Sequence, residues 1–314
     1  MNKQIEHFLA HFLPEIARIG IQVLSQREID YGLQLRLGRE GEQATLNIYH
    51  SEKKGISTVL GKGLPSQLKL DLERVCEELA EPRAPLHEWE SWIGSDECGK
   101  GDYFGALVVA AFAADEACLE ELRALGVKDS KKLRDSQIKN IALALYERFR
   151  SRIACVMIKP LKYNEIIADM QSRGQNLNDL LAWQHGTAIQ KLLEAFPLTQ
   201  GVLVDQFSNS RKVRSLLKAR KVSQPVEERH DAERDAAVAA ASIIARYQFL
   251  QQRESMNRAY GIKFPLGAGK SVLKAAQEFA DKFSLRRLAE VAKLHFVTSR
   301  GVRVKDIFDP PTDK

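Results

Sequence analysis

Cysteine is scarce and scattered in this 314-residue chain: Cys76, Cys98, Cys118 and Cys155 stand far apart and never form a Cys-x-x-Cys pair. That spacing argues against a disulfide framework and a zinc site, and implies reduced, mostly buried thiols. Long hydrophobic runs are missing as well. No apolar stretch reaches the roughly 18 residues that a membrane span needs. The opening residues, MNKQIEHFLAHFLPEI, lack the basic segment, apolar core and small-residue cleavage site of a secretion signal, so a cytoplasmic protein is expected. There is no internal repeat, no low-complexity tract and no tail that collects charge of one sign.

What remains is the composition of an ordinary soluble protein, 44% hydrophobic and 28% charged, with length enough for two domains or for one domain and an appendage. The net charge of +6 and a pI near 9.0 give mild support for a polyanionic partner such as nucleic acid.

Residues 1–80 begin with apolar positions at helical spacing (Ile5, Phe8, Leu9, Phe12, Leu13). Alternating stretches follow, GIQVLSQ, YGLQLRL and ATLNIYH, whose period is that of strands with one wet face. Leu68, Leu72, Val75 and Leu79 then predict a helix, with Ser66 placed to cap it. Two prolines in EPRAPLHE, residues 81–88, break both periods and set the expected boundary between a domain at 1–85 and a second at 86–314. Beyond it, WIGSD, YFGALVVAAFAA and GVLVD are dense apolar runs typical of central strands. Helical segments lie near 135–150, 176–195 and 233–258. The expected fold is α/β: a mixed sheet flanked by helices, preceded by a small α+β antiparallel-sheet domain.

Acids at the ends of buried strands are candidates for catalysis, because the scaffold there is rigid and the tip reachable. Asp96 and Glu97 end SWIGSDE, and Asp205 ends GVLVD. Each also has a plainer reading as a cap or surface acid. Adjacent side chains on a regular strand face opposite ways, so Asp96 and Glu97 are expected to meet one ion only if the pleat breaks there. Gly99 and Gly101 make that break plausible, and they leave Gly99-Lys100-Gly101 as bare backbone able to approach a ligand; the plainer reading is a hairpin turn. A third element, HDAERDAAVAAASIIARYQFL, predicts a slim alanine-rich helix with Asp231, Glu233 and Asp235 at its start. Helical spacing with Ala237, Ala240 and Ile244 turns Glu233 toward the interior and makes it the best fourth acid, with Asp231 the alternative.

PLGAGKSV, residues 265–272, has the look of a nucleotide-binding phosphate loop, but the first glycine of that motif would fall on Phe264. No strand pattern precedes it, and no nucleotide cofactor is expected.

Taken together and in order, IGSDECGKGDYFG (93–105), VKDSKKL (127–133), GVLVDQF (201–207) and AVAAASIIARY (237–247) resemble the type 2 and type 3 ribonucleases H. The GDYFG segment and the additional N-terminal domain are more similar to ribonuclease HIII than to ribonuclease HII. The resemblance implies a ribonuclease H-like catalytic domain behind a substrate-binding domain folded like half of the TATA-binding protein. It implies endonucleolytic cleavage of the RNA strand of RNA/DNA hybrids, with 5′-phosphate and 3′-hydroxyl products, by a protein expected to act as a monomer. Position by position, it makes Asp96, Glu97, Asp205 and Glu233 the catalytic, metal-binding acids, and Gly99, Lys100 and Gly101 the loop whose backbone contacts RNA 2′-hydroxyls. The family carries proline where this chain has Ala106.

Such chemistry suits these residues. Two divalent ions, Mg²⁺ or Mn²⁺, about 4 Å apart can activate water and support the leaving oxygen, and hard cations take carboxylate oxygens with no need for histidine or cysteine. The 2′-hydroxyl separates RNA from DNA. Lys128, Lys131, Lys132 and Lys270 are candidates for phosphate contacts, against the plainer reading of a solvated basic face. Two other readings stay open: cleavage at single ribonucleotides in DNA, and a non-catalytic nucleic-acid binder on the same fold.

Overall fold

The computed structural model describes residues 2–52, 55–61, 66–79 and 85–303. The chain forms two compact units, Met1–Pro85 and Leu86–Lys314. Of the proline-bearing segment expected to separate the domains, residues 81–84 lie outside the described residues.

In the first unit, helix α1 (Lys3–Arg18) precedes four strands, β1 (Gln22–Ile29), β2 (Gly32–Arg39), β3 (Glu42–Ser51) and β4 (Gly55–Leu60). These pair antiparallel in chain order, and α2 (Gln67–Glu78) follows. Alternation decides which face is covered: Leu33, Leu35 and Leu37 of β2 are buried with Ile5, Phe8, Leu9 and Phe12 of α1 and Leu68, Leu72 and Val75 of α2. Ser66 caps α2, its hydroxyl accepting from the Lys69 N–H. Leu13, expected on the buried stripe, is instead 38% exposed, because the stripe continues through Ile16.

The second unit is built on a five-stranded sheet in the order β7-β6-β5-β8-β9. The strands β5 (Ser91–Cys98), β6 (Leu107–Asp115) and β7 (Ile153–Ile158) form an antiparallel meander. From β5 the sheet continues in parallel through β8 (Gly201–Asp205) and β9 (Val226–Arg229). Helices α5 (Pro160–Ser172), α6 (Leu177–Ala195) and α7 (Lys212–Ala219) share a core with one face of the sheet. On the other lie α3 (Glu116–Ala124), α4 (Asp135–Phe149) and the long α8 (Ala236–Tyr260). The alanines of α8 allow its backbone to touch the sheet. A Cβ on Gly94 would stand 2.3 Å from the Val238 nitrogen, so no side chain fits at that crossing.

Helix α8 starts later than the sequence predicts. Asp235 is its N-cap, accepting from the N–H groups of Ala237 and Val238, while Glu233 lies in a preceding 3₁₀ turn, Ala232–Arg234. The run YFGALVVAAFAA is also shorter as a strand, because Gly105, at φ +89°, ends a loop containing Tyr103 and Phe104 before β6 begins. Those two aromatics join a third core with Phe264 and with Val272 and Phe279 of the last helix, α9 (Lys270–Phe283). Among the described residues no helix is long and apolar enough to cross a membrane.

Candidate active site

The sheet order brings the strand-end acids together. β8 runs parallel to β5, and their last pair is Ser95–Val204, so Asp96 and Asp205 follow side by side where the pairing of these two strands ends. Asp96 is 8% exposed although nothing but a carboxylate tips its side chain. Its Oδ1 accepts from the Glu97 N–H at 2.7 Å, and its carboxylate takes a further hydrogen bond from Ser242 of α8. Burial, then the charges of Glu97 and Asp205, push its pKa well above the ordinary range. Asp205 is raised to about 7, first by burial and then by Glu233, with which it shares a hydrogen bond. Burial would raise Glu233 too, but the Lys131 ammonium bonded to its Oε1, its own backbone N–H and the hydrogen bond with Asp205 together hold it below the usual carboxylate range.

The pleat does not break at Asp96 and Glu97. β5 stays paired with β6 in regular register through Cys98, so the two side chains leave opposite faces of the strand. Asp96 turns to Ser242 on the α8 side, and Glu97 turns to α6, where its Oε2 lies 3.3 Å from His185 Nε2. Only after Cys98 does the chain turn, at Gly99 with φ +92°. A Cβ there would stand 2.2 Å from the Ala106 carbonyl oxygen, so glycine is required by the fold. Gly101 is different. It has open space where a Cβ would sit, and nothing within the chain demands its bare backbone.

The two candidates for a fourth acid stand further apart in character than the sequence allows. Glu233 meets Asp205 and Lys131 from its 3₁₀ turn and does not use the helical face first expected of it, since α8 begins at Ala236. Asp231, in the left-handed conformation at φ 56°, is exposed. Asp235 is spent on the α8 cap, on Trp92 Nε1 at 3.0 Å and on His87.

Among the candidate lysines, Lys100 sends its ammonium inward to the Phe207 carbonyl at 2.9 Å and over the Phe207 ring, 3.8 Å from Glu97. Lys128, Lys131 and Lys132 are exposed around a 3₁₀ turn, Ser130–Lys132, which is fastened to α8 by a 2.8 Å bond between Ser130 and Ser242. Lys270 is exposed in the first turn of α9. The loop before it is tied to the glycine turn: the Gly267 N–H donates to Asp102 Oδ1 at 2.7 Å, and the Tyr103 N–H to the Gly267 carbonyl at 2.9 Å. No strand enters this loop, in keeping with the failed phosphate-loop spacing.

Sequence reasoning missed the residues that hold these acids: Ser242, Ser130, Ser95 and His185. Ser242 carries a faint signal, as a lone polar side chain inside an alanine-rich stretch, whereas Ser130 sits between Asp129 and Lys131 and carries none.

The donor set suits a hard divalent ion. Its carboxylates are buried against one another, and the resulting repulsion is what a cation would relieve. The set is not gathered in advance. Among the described residues no three His, Cys, Asp or Glu side chains converge on one point, and Glu233 is engaged by Lys131.

A mixed sheet with carboxylates at the ends of adjacent parallel strands, covered by helices on both faces, is the architecture of a ribonuclease H. Residues 93–299 match the family model described as Ribonuclease HII. The Ribonuclease HIII of Protochlamydia amoebophila is 41% identical over 206 residues, 66% of this chain and 66% of its own length. That of Chlamydia trachomatis serovar L2 is 33% identical over 303 residues, 94% of this chain and 97% of its own. A solved structure, Bst-RNase HIII in complex with Mn²⁺, matches with a TM-score of 0.63 at 29% identity, covering 96% of this chain and 95% of that one. The chain belongs to the ribonuclease HII family and, within it, to the ribonucleases HIII. It is a ribonuclease H, a hydrolase.

Proposed function

We propose that this protein cleaves the RNA strand of RNA/DNA hybrids internally, using two divalent ions, Mg²⁺ or Mn²⁺, and leaves 5′-phosphate and 3′-hydroxyl ends. The observation that carries this reading is the placement of Asp96, Glu97 and Asp205 beside one another at one end of the sheet, with Glu233 bonded to Asp205, in a member of this family. A fold without use for a cation has no reason to bury like charges together. When bound, the ions would activate water and support the departing 3′-oxygen.

The chain's own residues divide the remaining tasks. The four carboxylates would hold the ions. Main-chain N–H groups of the Gly99–Gly101 turn would contact the RNA 2′-hydroxyl, a reading supported by Gly101, whose bare backbone no internal contact requires. Lys128, Lys132 and Lys270, together with Lys131 once it leaves Glu233, would hold the phosphate backbone in register. Lys100 serves through its main chain, because its ammonium is committed to Phe207. In this reading the protein acts as a monomer and needs no nucleotide cofactor.

Purified protein incubated with end-labelled hybrid and Mg²⁺ or Mn²⁺ should cut the RNA strand internally; an intact strand under both metals would overturn the reading. The fourth acid is tested in the same assay. Glu233→Gln should lower activity by about 10²- to 10³-fold, the order expected when one preorganised electrostatic contact is lost, while Asp231→Asn should stay near wild type. The reverse order would transfer the role to Asp231.

The first unit is proposed to bind the hybrid. Removal of residues 1–85 should weaken hybrid binding about a hundredfold in a titration, because a linked module contributes through effective concentration. The four acids should stay assembled in the truncated protein, because all of them lie in the second unit. Unchanged affinity would assign the first unit another role.

A further inference from the structure

His185 lies in the middle of α6, fully buried, in a helix whose inward face is otherwise mostly apolar. Packing alone does not call for an imidazole there, and both of its nitrogens are committed. Nδ1 is 2.7 Å from the Ser95 hydroxyl, and Nε2 is 3.3 Å from Glu97 Oε2. Ser95 and Glu97 are two residues apart on β5 and share one face of the strand, so the ring bridges consecutive side chains of that face.

The hydrogen-bond network assigns the protons. The Ser95 hydroxyl is 2.8 Å from the Ala110 carbonyl oxygen, which can only accept, so the hydroxyl hydrogen is given there. Ser95 then has only lone pairs to offer His185, and Nδ1 must be the donor. At the far edge of the ring, a carboxylate oxygen facing a bare nitrogen would be repelled. A proton therefore lies between Nε2 and Oε2. The Phe207 ring, stacked on the imidazole with centroids 5.2 Å apart, holds it in plane, and Lys100 approaches the other Glu97 oxygen at 3.8 Å. Glu228, buried on β9, is the other acid that acts electrostatically on His185.

We infer that His185 is a positioning residue: relayed from the Ala110 carbonyl through Ser95, it fixes the Glu97 carboxylate in the orientation from which that acid takes a divalent ion. This rests on the proposed reading of Glu97 as a ligand. Outer partners of this kind set ligand orientation, and their loss typically lowers metal affinity by about 10- to 100-fold.

Two amides separate this role from packing. In the full-length protein, His185→Gln can place its side-chain N–H₂ near the position of Nε2 and keep donating to Glu97, whereas His185→Asn reaches only the position of Nδ1 and keeps Ser95. Mn²⁺ binding, followed by calorimetry without substrate, should be weakened about 10- to 100-fold in His185→Asn and retained in His185→Gln. A packing role would not favour the glutamine. Equal affinities in the two variants, whether both wild-type or both reduced, would overturn the inference. Should His185→Asn not fold, Ser95→Ala provides the second arm: it removes the acceptor that orients the ring and should weaken Mn²⁺ binding, and undiminished affinity would overturn the inference. Glu97→Gln distinguishes the two levels of the argument. Wild-type Mn²⁺ binding by Glu97→Gln would overturn the reading of Glu97 as a ligand, and this inference with it. Loss of binding in Glu97→Gln beside wild-type binding in His185→Asn would overturn the role of His185 alone.

Discussion

Asp96→Asn is expected to slow cleavage of an RNA/DNA hybrid about a thousandfold and, in the same preparation, to raise the melting temperature of the metal-free protein. The two effects share one cause. Asp96 is buried beside Glu97 and Asp205, and all three influences drive its carboxyl toward the neutral form. An acid whose pKa is raised by folding makes the fold less stable as pH climbs past the ordinary carboxylate range, since the unfolded chain ionises there at no such disadvantage. Asparagine has nearly the same shape and can still accept from the Glu97 N–H through its carbonyl oxygen, but carries no charge. The repulsion on Asp205 and Glu97 falls with it. The same missing charge removes a proposed ligand, and losing roughly 4 kcal/mol of transition-state stabilisation lowers the rate about a thousandfold. Cleavage rates with Mg²⁺ and thermal melts at pH 7.5 check both halves. Activity near wild type would remove Asp96 from the machinery, and a lowered melting temperature would contradict the electrostatic account of its burial.

The acids at strand ends were legible because the signal is local. WIGSD and GVLVD are short buried runs that stop at a carboxylate, and the apolar character of Ile93, Val202 and Val204 fixes which way the strands face. The same holds for Ser66, whose capping role depends on its own helix alone. What the sequence does not display are contacts across the fold. Ser242 meets Asp96, Lys131 meets Glu233 and His185 meets Glu97 only because α8, the Ser130 turn and α6 dock on one sheet. The start of α8 shows the same limit. Asp231, Glu233 and Asp235 compete within five residues, and Trp92 and His87, from far earlier in the chain, select Asp235 as the cap and leave Glu233 outside the helix. In YFGALVV an unbroken apolar run reads as strand throughout. The Tyr103–Gly105 portion is a loop because Asp102 is anchored on Gly267, the Tyr103 and Phe104 rings are claimed by α9, and the left-handed Gly105 turns the chain into β6. The strands β7 and β9 are short edge strands, and their pairing partners, more than their composition, make them strands.

Lys293 carries the other large expected effect. It is 1% exposed, its Nζ donates to the Gly105 carbonyl at 2.6 Å and its N–H donates to the Tyr103 carbonyl at 2.8 Å, so it pins the loop that follows the glycine turn to the C-terminal segment. Burial lowers its pKa from 10.5 to about 7, with only a weak opposing pull from Asp102 and Cys98. The sign follows from counting protons. Between pH 7 and 10.5 the unfolded chain keeps a proton on this amine that the folded protein has released, so Lys293 makes the fold more stable as pH rises. Below pH 7 both states are protonated, and the fold bears the full desolvation of a buried ammonium. Lys293→Met retains the apolar stem and cannot titrate. The stability of wild type relative to Lys293→Met is therefore expected to rise by about 3 kcal/mol between pH 6 and pH 9, at roughly 1.4 kcal/mol for each pH unit above 7. Trp89, Trp92 and Trp183 all lie in the second unit, so tryptophan fluorescence during urea unfolding follows the unit that contains Lys293 and not the first. Parallel stability curves for the two proteins across that pH range would show that the amine keeps its proton inside the fold, and the Gly105 carbonyl would then be bound by an ammonium at every pH tested.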